Sequence, residues 1–134
     1  MKLPFIRSSV IALAIALPCV AADDIPPPDK TAGVDLQSPE VIAKGMEILN
    51  TTCGGYCHGT GGGGLKAPRL RNRDDLSPDS LHATISFGRK RGGKVMPPWK
   101  GTLSEQEIWT VIAAIVALRT AEPIAGGGAQ SSNH

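Results

Sequence analysis

A chain of 134 residues is long enough for one domain and too short for two of ordinary size. Its 14 Lys and Arg against 12 Asp and Glu give a formal net charge of +2. No nucleic-acid-binding motif accompanies this small excess, so we expect no nucleic-acid partner.

The first 22 residues are predicted to be a cleaved signal peptide. Lys2 and Arg7 accompany an apolar run over residues 10–17, and small residues precede Asp23. The run is too short to form a stable membrane anchor. Its removal takes away two basic residues and no acidic ones, so the mature chain is formally neutral. We therefore expect a periplasmic protein in an oxidising compartment.

Composition separates a folded part from two flanking segments. Residues 23–37 include three consecutive prolines and little apolar material, and they are predicted to be a flexible lead-in. Residues 121–134, which are rich in Gly and Ser, are predicted to be a disordered tail. The domain is therefore expected over 38–120, a size at which small domains often depend on a covalent or metal staple.

Within that domain the sequence predicts three helices and no strand of useful length, which is an all-α fold. Ser38 and Ser77 each precede a proline, the residue favoured at the first helical position. Ser104 and Glu107 have the spacing of a capping box, and Gly88 is a typical helix stop. With their apolar stripes, these signals predict helices at 39–50, 77–88 and 104–119.

The segment Cys53-Gly54-Gly55-Tyr56-Cys57-His58 has the form of a covalent haem attachment site with one residue too many. The usual signature is Cys-x-x-Cys-His, in which each thiol adds to a haem vinyl group and the histidine ligates the iron. On an α-helix Cys53 and Cys57 still lie within roughly 40° of one face. Two thioethers are therefore feasible, and a single bond through Cys57 is the alternative.

Two further interpretations of the cysteine pair stay open at this point. The thiols could form a disulfide, or they could be two of the four ligands that a structural zinc ion needs. The mature chain offers only His82 and His134 as additional histidines and no other cysteine. The glycines at 61–64 lack the Lys-Ser/Thr ending and the preceding strand of a phosphate-binding loop, so they predict a tight backbone path around a cofactor edge.

A six-coordinate haem iron needs a second ligand opposite His58. Met96 is the leading candidate, because the two prolines that follow it restrict the backbone and would hold the thioether in one place. Met46 lies on the apolar stripe of the first helix and is predicted to pack in the core. His82 is the rival ligand, although a surface or partly buried position is expected for it.

These motifs together resemble a small monohaem class I c-type cytochrome over about residues 38–119. The residues that carry the resemblance are Cys53-x-x-x-Cys57-His58, Lys66-Ala67-Pro68-Arg69-Leu70 and Met96-Pro97-Pro98-Trp99. The resemblance implies a three-helix wrap around one covalently bound haem c, with His58 and Met96 as the axial ligands of the iron.

The same resemblance assigns roles to residues outside the motif. Pro68 would take the place of the proline whose carbonyl accepts a hydrogen bond from the ring of the iron-binding histidine. Gly45 would be the small residue at which the first and last helices cross. The last helix has Ala114 where many relatives carry an aromatic residue, and Trp109 is expected to compensate.

A haem iron with histidine and methionine ligands has no open position, so the predicted protein is a one-electron carrier and not an enzyme. Residues 66–100 hold nine basic and three acidic side chains, which predicts a basic band for docking redox partners. We expect these to be a periplasmic dehydrogenase and an oxidase or other acceptor. Alternatives are a cytochrome subunit of a periplasmic dehydrogenase, for example a quinoprotein alcohol dehydrogenase, and a non-haem disulfide or metal module.

Overall fold

A computed structural model describes residues 29–121. The elements in chain order are α1 (Pro39–Ile48), a π-helical segment (Leu49–His58), a 3₁₀ turn (Thr60–Gly62), α2 (Pro78–Phe87), β1 (Arg89–Arg91), β2 (Lys94–Met96), α3 (Glu105–Ala117) and a 3₁₀ turn (Leu118–Thr120). The predicted all-α fold with three main helices is confirmed. The predicted signal peptide, the three prolines and the tail beyond residue 121 lie outside the described residues.

The helix starts follow from local capping chemistry. The Ser38 hydroxyl accepts a hydrogen bond from the Val41 amide at 3.4 Å, at the start of α1. At the start of α3, the Ser104 hydroxyl accepts from the Glu107 amide, and the Glu107 carboxylate accepts from the Ser104 amide at 2.8 Å. This reciprocal pair is the predicted capping box, which satisfies two amides that the helix itself leaves without partners.

Two elements depart from the predicted outline. The first α-helix ends at Ile48, close to the predicted residue 50, but the chain continues directly as a π-helix from Leu49 to His58. A two-stranded antiparallel hairpin, with Arg89 opposite Met96, joins α2 to the methionine loop. Its strands have three residues each and are almost fully exposed, so no alternating apolar pattern marks them in the sequence.

The predicted lead-in over 23–37 needs a correction in its described part, residues 29–37. Thr31 is fully buried and its hydroxyl donates to the Val34 carbonyl at 2.6 Å. Leu36 is only 3% exposed and belongs to the hydrophobic core. This segment is a turn that packs through single side chains. It therefore has no repeating apolar pattern from which its burial could be predicted.

The core lies mainly between α1 and α3, which cross at Gly45 as the resemblance implied. A methyl group at Gly45 would lie 2.1 Å from the Thr110 carbonyl oxygen and 2.9 Å from Ala114 Cβ. The helices therefore touch backbone to backbone at this point. The buried apolar side chains that surround the crossing include Leu49, Ile108, Val111, Ile112, Ala113 and Ile115.

Trp109 is only 3% exposed and packs against α2. Its ring stacks on His82 of α2 with a centroid distance of 4.6 Å. Its Nε1 donates to Glu105, which also contacts His82 Nε2 at 2.6 Å. Trp109 therefore packs between α2 and α3. The small side chain of Ala114 lies opposite Gly45 where α1 and α3 cross.

Among the helices of residues 29–121, none has both the length and the apolar character needed to cross a membrane.

Candidate haem-binding site

A cavity of ≈ 1730 Å³ opens between the π-helical segment, α2, α3 and the two long loops. All five predicted site residues line it: Cys53, Cys57, His58, Pro68 and Met96. Its apolar wall comes from the π-helical segment, α2 and α3, through Leu49, Leu81, Ile85, Val111 and Ile115, and from the loop after the π-helix, through Leu70 and Leu76. Residues that are up to 66 positions apart in the sequence thus line one cavity.

The geometry around His58 defines which of its ring nitrogens is available. His58 Nδ1 lies 2.9 Å from the carbonyl oxygen of Pro68. A carbonyl oxygen can only accept, so Nδ1 carries the proton of this hydrogen bond. In a neutral imidazole the other nitrogen, Nε2, then has a free lone pair suited to a metal ion.

The loop that carries Pro68 is held by main-chain hydrogen bonds to the attachment segment. The Gly64 amide donates to the His58 carbonyl at 2.6 Å, and the Ala67 amide donates to the Cys57 carbonyl at 2.9 Å. Gly59 starts this return at φ = 71°, and a Cβ there would lie 2.8 Å from the Gly64 carbonyl oxygen. Only glycine tolerates both this positive φ and the lack of space for a Cβ. The sharp reversal of the chain that brings Pro68 to His58 therefore depends on Gly59.

The two cysteines are half-buried and are not joined by a disulfide. Burial, with a smaller contribution from nearby Cys57, raises the pKa of Cys53 to about 11. The Cys53 thiol therefore stays protonated at neutral pH, which slows disulfide formation because the thiolate is the attacking species. Residues 29–121 contain no cluster of three His, Cys, Asp or Glu side chains that could hold a metal ion, so the zinc interpretation finds no support there.

Met96 is the last residue of β2, and three contacts fix the position of its loop. Its pairing with Arg89 ties it to the end of α2. Gly88, at φ = 75°, leaves so little space that a Cβ there would lie 2.6 Å from the Met96 carbonyl oxygen. On the other side of the two prolines, the Trp99 amide donates to the Ile85 carbonyl at 2.9 Å.

The other candidate ligands lie elsewhere. His82 does not line the cavity, and its ring is engaged by Trp109 and Glu105. Met46 also lies outside the lining and packs against the core, as predicted. Among the described side chains, His58 and Met96 are therefore the one histidine and the one methionine that face the cavity.

Sequence reasoning had overlooked residues that position the site without facing it. Gly88 was interpreted only as a helix stop, yet its lack of a side chain lets the Met96 backbone approach α2. The sequence assigns no role to Gly54, which is buried inside the π-helical segment. Neither role has a local signature, because the atoms that crowd Gly88 belong to a different element.

Comparison with known proteins identifies the family. The family model described as cytochrome C oxidase, cbb3-type, subunit III matches residues 40–113, more than half of the chain. This chain is a c-type cytochrome of that family. It is accordingly an electron-transfer protein, and its family carries covalently bound haem c.

One solved structure of this cytochrome class agrees with the assignment. The crystal structure of cytochrome CL from the marine methylotrophic bacterium Methylophaga aminisulfidivorans is 26% identical, with a TM-score of 0.52. The match covers 61% of this chain and 55% of that one, so the present cytochrome spans little more than half of its length. No curated protein matches the sequence.

The described residues fit a haem c group. The cavity offers two thiols, one histidine with a free Nε2 and one thioether within an apolar wall. Thiols can hold the ring covalently, and imidazole and thioether are haem iron ligands. Basic side chains that line the same cavity, including Arg69 and Arg71, suit the carboxylates that haem carries at one edge.

Proposed function

We propose that this cytochrome is a periplasmic one-electron carrier, exported by residues 1–22, that holds one haem c iron between His58 and Met96. The observation that carries the proposal is the hydrogen bond from His58 Nδ1 to the Pro68 carbonyl. It leaves Nε2 as the free nitrogen of a ring that lines the cavity, and Met96 lines the same cavity.

Each residue has a defined task in such a site. Haem iron, when bound, supplies reversible one-electron exchange between its ferrous and ferric states. Pro68 fixes the tautomer and the orientation of His58, and Gly88 with the hairpin fixes Met96. The soft Met96 sulfur favours the ferrous state, and the apolar wall limits access of water. With both axial positions filled by protein, no position remains for a substrate.

The proposal predicts a coloured protein with covalent haem. After periplasmic expression in a strain competent in cytochrome maturation, we expect sharp absorption bands on reduction that survive acid–acetone extraction. Carbon monoxide should leave the ferrous spectrum unchanged, because Met96 fills the sixth position. A colourless product from that strain would defeat the haem assignment, and ready carbon monoxide binding would indicate an enzyme or a gas sensor.

The charge distribution supports docking through the hairpin. Arg89, Lys90, Arg91 and Lys94 are all exposed, and the hairpin ends at Met96. Elsewhere in the basic band, Arg73 is paired with Asp75, and Lys66 lies 3.7 Å from the Tyr56 ring centroid. Four exposed cations thus lie in the hairpin that carries the proposed iron ligand, and they favour an acidic partner surface.

Neutralising the hairpin should slow encounter with anionic reagents. We expect Arg91→Gln with Lys94→Gln to lower the rate of electron transfer to ferricyanide at low ionic strength by about 3- to 10-fold. The difference should shrink as salt screens the charges. Lys30→Gln with Lys44→Gln is the matched control, because it removes the same net charge from exposed positions outside the cavity lining. Equal effects of the two double variants would show that only net charge matters.

A second candidate is a cytochrome subunit of a larger redox complex, such as a periplasmic dehydrogenase. The observation that favours a subunit role is the match to a family described as a subunit of an oxidase. Size-exclusion chromatography of the protein from its native host separates the two candidates. A free carrier elutes as a small protein, whereas a subunit co-elutes with enzyme activity.

A further inference from the structure

The haem attachment segment is wound more widely than an α-helix. Leu49–His58 is π-helical, and the Gly59 amide donates at 2.9 Å to the carbonyl of Gly54, five residues earlier. In an α-helix the acceptor is four residues earlier. A wide turn of this kind is equivalent to an α-helical turn with one residue inserted, and such insertions concentrate at functional sites.

The Thr51 side chain is bonded to the backbone at the beginning of this segment. The Thr51 hydroxyl donates to the Glu47 carbonyl at 2.9 Å and approaches the Ile48 carbonyl at 3.3 Å. These carbonyls lie where α1 passes into the wider helix, at which point the regular α-helical acceptor pattern is interrupted. The Thr51 hydroxyl therefore stabilises the transition by satisfying backbone groups there.

The winding changes how two cysteines four residues apart are related. In an α-helix, a Cys-x-x-Cys pair is about 60° short of a full turn, whereas a pair four residues apart is about 40° past it. A π-helix holds roughly 4.4 residues per turn, so four residues are again about 30° short. In the π-helix, Cys57 therefore falls short of a full turn from Cys53, as the second cysteine of a Cys-x-x-Cys pair does in an α-helix.

We propose that the π-helical turn absorbs the extra residue of Cys-x-x-x-Cys-His, so that both Cys53 and Cys57 form thioethers to the haem. This inference rests on the proposed function, because it presupposes haem in the cavity. Both cysteines line that cavity and neither is in a disulfide. In each addition the S–H bond and the vinyl double bond break while an S–C and a C–H bond form, so no oxidant or reductant is consumed.

The two glycines between the cysteines are not equivalent in this arrangement. Gly54 is buried, and a Cβ there would lie 3.1 Å from the Gly59 carbonyl oxygen and 3.3 Å from that of Leu49. Gly55 has nothing within 4 Å of the corresponding position. Alanine at 54 therefore presses on the wide turn itself, whereas alanine at 55 points into open space.

This difference gives a matched pair of variants for the test. The number of thioethers is measured by the pyridine haemochrome band, which moves to longer wavelength for each vinyl group left unreacted, and by iodoacetamide labelling of denatured holoprotein. Peptide mass mapping assigns any label to a cysteine. Cys53→Ala defines the band of a single thioether. In the wild type and in Gly55→Ala, we expect both haem vinyl groups to have reacted and Cys53 to remain unlabelled. In Gly54→Ala, we expect a fraction of the protein to have a labelled Cys53.

Deletion of Gly55 restores the two-residue spacing and is the second test, should Gly54→Ala fail to accumulate. We expect the deletion to keep both thioethers. The inference is overturned if the wild-type band coincides with that of Cys53→Ala and Cys53 is labelled, or if deletion of Gly55 frees Cys53. Haem that acid–acetone removes from the wild type would overturn the proposed function as well, and this outcome is distinct because a single thioether at Cys57 still retains haem.

Discussion

Replacement of Met96 by leucine is expected to lower the midpoint potential by on the order of 0.1–0.2 V, a fraction of the roughly 0.8 V that axial ligation spans in haem proteins. Leucine keeps the apolar volume but has no sulfur to favour the ferrous iron. The sixth position then becomes accessible, so the ferrous variant should bind carbon monoxide. Redox titration and the carbon monoxide difference spectrum measure the two effects.

Met46→Leu is the matched control for this prediction. Met46 is also a partly buried methionine, but it packs against the core and does not line the cavity. Its replacement should leave the potential and the carbon monoxide response unchanged. If Met96→Leu kept the wild-type potential, the sixth ligand would have to come from another residue, and His82 would be the next to test.

Replacement of Gly45 by alanine should be the most damaging single change to the fold. The added methyl group would lie 2.1 Å from the Thr110 carbonyl oxygen, so α1 and α3 must move apart. Overpacking of a close-packed core typically costs about 1–3 kcal/mol, and backbone leaves less room to adjust than a side chain, so we expect about 3 kcal/mol. Denaturant unfolding of the holoprotein, followed by circular dichroism, measures this loss of stability.

Gly55→Ala is the control for the general effect of adding a methyl group to a helical glycine. It meets nothing within 4 Å, and alanine is the better helix former by up to about 1 kcal/mol. Its stability should therefore equal or slightly exceed that of the wild type. If both alanine variants were equally stable, the two helices would not be in backbone contact at Gly45.

The sequence was most informative where a structural role depends on neighbouring residues. Capping boxes, prolines at the first helical position and helix-ending glycines act within four residues, and they placed all three helices within a few residues of their observed bounds. The attachment motif is likewise local, because its thiols and histidine must reach one haem. Residues 29–37 were the exception, since burial of Leu36 depends on a distant core.

By itself the sequence determined the all-α class, the cysteine pair, the adjacent histidine and the methionine before two prolines, because each of these is defined by spacing along the chain. Only the tertiary structure decided that Pro68 contacts His58 Nδ1 and that Met96, rather than His82, faces the cavity. It also decided that the extra residue between the cysteines is wound into a π-helical turn. The first two features depend on contacts between segments far apart in sequence, and the third on a choice between α- and π-helical winding that the spacing of the cysteines alone does not make.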